Sequence, residues 1–154
     1  MNIIIDTPGI DERKIVNDIA KQGHDLHVGW NPDIYLTVDE VMQKDYYEDL
    51  IRNNALLVAR EEGEIVGYLV YSIKEVSIPI MKYRKMLYID SICVDEKCRG
   101  RGIGTRMLEY AKDLAEKSAC TELSLSVCHS NASAIKIYED FGFEQKSISY
   151  RLKI

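Results

Sequence analysis

Lys97-Cys98-Arg99-Gly100-Arg101-Gly102-Ile103-Gly104-Thr105-Arg106 brings four cations and three alternating glycines into ten residues. Glycine has no Cβ, so its backbone turns freely and its N–H groups stand open, and a helix that follows adds the positive end of its dipole. Several amides can then converge on one anion, and a pyrophosphate is the natural guest. Each charge-assisted hydrogen bond to it is worth about 1.5–3 kcal/mol. The plainer alternative is a solvated turn with surface charges. Two familiar phosphate loops are excluded by their own chemistry. A Walker loop needs Lys and then Ser or Thr straight after its last glycine, whereas Gly104 is followed by Thr105 and Arg106. A dinucleotide fingerprint spaces its last two glycines by two residues, whereas these alternate singly.

Other residues invite a chemical reading. Asp90 interrupts an apolar run, Tyr88 to Val94, where a carboxylate can accept a proton directly or through water, or simply orient its neighbours or bind substrate. Asn131 and Tyr138 stand seven residues apart, two turns along one helix face. Alone, Tyr138 reads equally well as a core tyrosine with its hydroxyl at the rim. His24 and His27 flank Asp25 in what reads as a surface loop, a weak metal pair at best. His129 closes a strand and can serve as a base near neutral pH, or stand idle on the surface. Cys93, Cys98, Cys120 and Cys128 match no zinc spacing, so free thiols and no metal site are expected.

These residues need elements to hold them. Ile15, Val16, Ile19 and Ala20 give a helix from about Asp11 to Gln22, with Gly23 at its C-cap. Thr37 and Glu40 form a capping-box pattern that opens a second helix, running through Val41, Met42, Tyr46 and Leu50 to Asn53. Ala55–Arg60 and Ile65–Ile73 read as a hairpin turned by the Glu61–Glu64 stretch. Met86–Val94 is a strand with Tyr88, Asp90, Ile92 and Val94 on one face and Leu87, Ile89, Ser91 and Cys93 on the other. A helix over Thr105–Lys117, a strand over Glu122–Cys128, a short helix over Asn131–Phe141 stopped by Gly142, and a closing strand over Phe143–Ile154 follow. The order predicts an α/β fold, a mixed sheet with helices packed on it.

The chain has 154 residues, 46% hydrophobic and 29% charged, with no repeat and no linker, as for a single domain spanning 1–154. Its formal charge of −5 argues against nucleic acid or anionic lipid as the main partner. No run of apolar residues is long enough for a membrane span, and the Met1–Asp6 opening is no signal peptide, so a cytoplasmic protein is expected.

Arg99-Gly100-Arg101-Gly102-Ile103-Gly104 resembles the acyl-CoA loop of the GCN5-related N-acetyltransferase (GNAT) family. Tyr88–Val94 is similar to that family's fourth strand, and Asn131-Ala132-Ser133-Ala134-Ile135-Lys136-Ile137-Tyr138 through Gly142-Phe143 resembles its closing segment. The resemblance implies the acyl-CoA N-acyltransferase fold, with a mostly antiparallel sheet flanked by helices. It further implies acetyl-CoA as co-substrate and direct transfer of the acetyl group to a primary amine of a small molecule or protein. In that scheme the main chain of Ile92, Cys93 and Val94 meets the pantetheine arm, and the amides from Arg99 to Thr105, Ile103 among them, take the diphosphate. Asn131 and Ser133 add coenzyme contacts, Tyr138 protonates the departing thiolate, and Asp90 is the candidate base. No covalent intermediate on Cys93 is expected. Where relatives that acetylate ribosomal proteins carry a fifth-strand glutamate, this chain carries Ser126. The substrate pocket is expected near Trp30, Tyr35, Tyr46 and Tyr47, with acidic residues Asp39, Glu40, Asp45, Glu48 and Asp49 offering attraction for a cation. A homodimer is consistent with the family. The alternative is a catalytically silent CoA-binding regulatory module.

Overall fold

Glu62 (φ 51°) and Gly63 (φ 87°) both adopt left-handed backbone, as a tight two-residue hairpin turn requires, and they fold β2 (Leu56–Glu61) onto β3 (Glu64–Val76). The computed structural model describes residues 1–154. Three further strands complete the sheet: β1 (Ile3–Asp6), β4 (Arg84–Val94) and β5 (Glu122–Leu125), in the spatial order β1-β2-β3-β4-β5. Neighbours are antiparallel except β4 and β5, which run parallel because α3 (Ile103–Lys117) makes the crossover between them. The sheet is therefore mixed and mostly antiparallel, as the family resemblance implied. α1 (Arg13–Trp30) and α2 (Lys44–Arg52) precede the hairpin, and α4 (Ala132–Phe141) follows β5.

Strand alternation sends side chains to two cores, one on each face of the sheet. Leu57, Leu69, Leu87 and Ile89 meet Met107, Leu108 and Ala111 of α3. On the opposite face Leu56, Val58 and Val70 meet Val16, Ile19 and Ala20 of α1 and Tyr47 of α2. Each large apolar side chain buried this way contributes about 1.5–3 kcal/mol.

Five expectations change. The opening segment is a strand, β1, tied to the start of α1 by Arg60, whose guanidinium donates to Asp6 and Glu12 at 2.7–3.1 Å and holds the Glu12 carboxyl down at about 2. α1 does not stop at Gly23 but continues to Trp30. A Cβ at Gly23 would meet Cys93 Sγ at 3.3 Å, so this glycine serves close helix–sheet approach, not a cap. α2 begins only at Lys44, because the buried Asn17 side chain binds Asp39 O and the Val41 and Met42 N–H groups and holds that stretch out of a helix. β5 ends at Leu125, three residues before the expected Cys128. Phe143–Ile154 forms no closing strand. Arg151 and Lys153 bind Asp33 at 2.9 Å, while Tyr150 and Leu152 face solvent, 92% and 84% exposed. No helix is long and apolar enough to cross a membrane.

Candidate active site

Asp90 is an extra residue in its strand. Val70 pairs with Ser91 and Tyr71 with Ile89, so Asp90 bulges out of the β3–β4 ladder. Strict alternation across β4 is thereby corrected: Ile92 and Val94 share the α3-side core with Leu87 and Ile89, and Cys93 packs toward α1. The parallel ladder to β5 also ends here, at Ile89 opposite Leu125, although β4 runs on to Val94. The two strands part, and Tyr88 Oη donates to Ser126 Oγ at 2.9 Å where the gap opens.

The resulting cleft has a volume of about 110 Å³. Asp90, Ile92, Asn131 and Tyr138 all line it, so the structure brings these four expected residues together. His27 of α1 lines it as well, which the sequence reading did not anticipate because it ended α1 at Gly23. Burial, and then the charge of Asp90, push the Tyr46 phenol above its usual value. Burial also raises the Tyr138 phenol, whose ring sits edge-on to Phe143 at 5.7 Å, and the hydroxyl stays protonated. Asn131 Oδ1 accepts from Ala134 N at 3.2 Å, which caps α4 and leaves its amide nitrogen free. Ser133 stands exposed in the first turn of the same helix.

The glycine loop leads into α3. Gly100 (φ 75°) and Gly102 (φ 79°) are left-handed, and Gly102 is the N-cap with no side-chain bond to the helix. The first N–H groups, those of Ile103, Gly104 and Thr105, have no acceptor within the helix. Two of the loop cations are neutralised: Arg101 pairs with Glu61, and Arg106 pairs with Glu109 at 2.7 Å. Arg99 Nε donates to Val94 O at 2.9 Å, and Arg99 and Lys97 join no ion pair. The four-cation cluster is corrected to two unpaired cations beside the open main chain of the loop.

Other candidates lie apart. His129 is exposed and does not line the cleft. The Cys93 thiol is pushed up by burial against Ile19 O, a poor setting for a nucleophile. Tyr47 belongs to the core, its hydroxyl donating to Gly9 O at 2.7 Å. Of the acidic residues assigned to the second helix, Asp39 and Glu40 precede it, and Glu40 pairs with Arg13.

A five-stranded mixed sheet that splits at β4, with an uncapped glycine-led helix beside the split, defines an acyl-CoA N-acyltransferase fold. Residues 22–143 match the Acetyltransferase (GNAT) family, and the chain belongs to that family. It is 31% identical over 136 residues to the spermine/spermidine N(1)-acetyltransferase of Bacillus subtilis (strain 168), covering 88% of each chain. A mutant form of the BH1408 protein from Bacillus halodurans superposes with a TM-score of 0.94 at 24% identity, covering 98% of this chain and 99% of that one. A ribosomal-protein-alanine N-acetyltransferase from Brucella melitensis biovar Abortus 2308 superposes at 0.70 with 20% identity over 99% of both chains. The protein is an N-acetyltransferase that uses acetyl-CoA to acetylate an amine.

Proposed function

We propose that the acceptor is a small flexible amine with several positive charges, of the polyamine class. The observation that carries this reading is Asp90, an exposed carboxylate in the cleft that joins no ion pair within the protein. The spermine/spermidine relative supports it. The chain's own groups suit the coenzyme: main-chain donors at the start of α3 for the diphosphate, the unpaired edge of β4 at Ile92 and the free amide of Asn131 for the pantetheine arm. Acetyl-CoA, when bound, supplies a thioester carbonyl to the amine and leaves as a thiol. Asp90 holds the acceptor's ammonium, and Tyr138 Oη gives its proton to the sulfur. Four free cysteines and a coenzyme of the reducing compartment suit the cytoplasm.

An amine panel read by thiol release tests this reading. Spermidine and spermine should outpace monoamines, aminoglycosides and peptide N-termini, and Asp90→Asn should raise the spermidine KM about tenfold, one lost charge contact. Calorimetric binding of CoA without thiol release from any amine would establish the silent binding module instead.

The C-terminal segment supports a homodimer. Its Arg151 and Lys153 pair with Asp33, Ile148, Tyr150 and Leu152 are exposed, and the outer edge of β5 is unpaired. An apolar segment without a partner and an unpaired edge on one chain suit reciprocal pairing with a second copy. Light scattering should give twice the monomer mass, and Tyr150→Lys should halve it. A monomeric parent would remove the dimer.

A further inference from the structure

We infer that His27 is the group that takes the proton from the acceptor ammonium. The inference rests on the acetyltransfer reading above. An alkyl ammonium titrates near 10.4, so at neutral pH the bound amine has no lone pair until a proton leaves it. In this step an N–H bond of the ammonium breaks, an N–H bond forms on the imidazole, and the amine keeps the electron pair. The imidazolium then releases the proton to water.

His27 is placed for it. The ring forms part of the cleft wall that also carries Asp90 and Tyr138. Trp30 stands edge-on at 5.4 Å and Tyr35 tilts over it at 5.2 Å, so aromatic packing fixes its orientation. A histidine kept for structure spends a ring nitrogen on the protein, as His24 does one turn earlier with Leu36 O at 2.6 Å. His27 does not: neither ring nitrogen bonds to the protein, Nδ1 is buried, and Nε2 is the nitrogen left open to solvent. The open Nε2 is therefore the atom free to accept the proton and to pass it on to water, while the buried, unmatched Nδ1 costs stability that a purely structural histidine would not. Asp90 and His27 thus divide the work, one holding positive charge and the other relieving it.

The titratable groups around the ring are His24 on its own helix, Tyr35 in the loop that follows, Asp90 on β4, Cys128 beyond β5 and Tyr138 on α4. Burial first, and then the charge on His24, push the imidazole below its usual 6.5. The ring is therefore neutral at pH 7 and becomes charged only as the pH falls below that value. The kcat profile of the parent should stay flat down to that region and fall beneath it.

His27→Gln should lower kcat for spermidine at pH 7.5 about 100-fold and erase the acid limb, with CoA affinity retained. The loss should shrink to about fivefold or less with an amine that titrates near 7, because that amine arrives largely neutral. On the unsubstituted protein saturated with CoA, NMR titration of the His27 ring should show a midpoint below 6.5 that drops further when spermidine is added, since a nearby cation disfavours the imidazolium. His129 should not respond. A variant within about threefold of the parent from pH 5.5 to 9, equal losses with both amines, or a His27 midpoint indifferent to spermidine would overturn the assignment. A parent that binds CoA yet releases no thiol with any amine would sink acetyl transfer, and the NMR titration would still decide whether an amine sits beside His27.

Discussion

Tyr138→Phe should lower kcat about 10³-fold while the KM for acetyl-CoA stays within about twofold, the signature of a lost proton donor. The substitution deletes one oxygen and keeps the ring, so packing against Phe143 and the α3-side core survives. Burial holds the phenol above its ordinary value, and its proton is retained through the whole range in which the enzyme can be assayed. A thiolate departing into a half-apolar cleft is a poor leaving group without a proton, and Tyr138 lines that cleft together with Asn131. Steady-state thiol release from pH 6 to 9, with the melting temperature as a check on folding, measures the effect. A variant that keeps kcat within about threefold would show that the proton comes from elsewhere.

The second large effect belongs to the glycine loop. Gly102→Val should raise the Kd for CoA about 300-fold, or about 3.4 kcal/mol, equal to two charge-assisted hydrogen bonds near the low end of their range. A Cβ at Gly102 meets nothing within 4 Å, so steric fit is not at issue. The backbone is: φ is 79°, a region that a β-branched residue adopts only with strain. To escape it the turn must rotate, and the first amides of α3 rotate with it. Arg101 and Arg106 are engaged with Glu61 and Glu109, so they do not replace the lost amides. Calorimetry with CoA measures the loss, and a Kd within about fivefold of the parent would show that the diphosphate does not depend on this turn.

Much of this was readable from residue types. The hairpin turn, the α3 stripe and the helix stop at Gly142 depend on neighbours in sequence, and each stands where local chemistry puts it, the last with φ 109°. Asn131 and Tyr138 also line one cleft, as their spacing suggested, and Asp90 joins them there, as the family resemblance implied. Three of the failures share one cause, a distant partner. Gly23 stays helical because Cys93, far along the chain, needs the room. Residues 39–42 stay out of a helix because Asn17 claims their backbone. β1 is four residues long and is recruited by Arg60 from across the hairpin. The tail alternates like a strand yet leaves the free edge of β5 unpaired, and its Arg151 and Lys153 bind Asp33 instead. His27 was hidden by the Gly23 error alone: a helix extended two turns carries it straight to the cleft.

The bulge in β4 has a consequence for how such a protein changes over time. Asp90 belongs to neither packed layer and to no ladder pair, so a different side chain there leaves folding almost untouched. On the proposed role of Asp90, selection can therefore trade one acceptor preference for another at this single position, and the scaffold need not be rebuilt to follow.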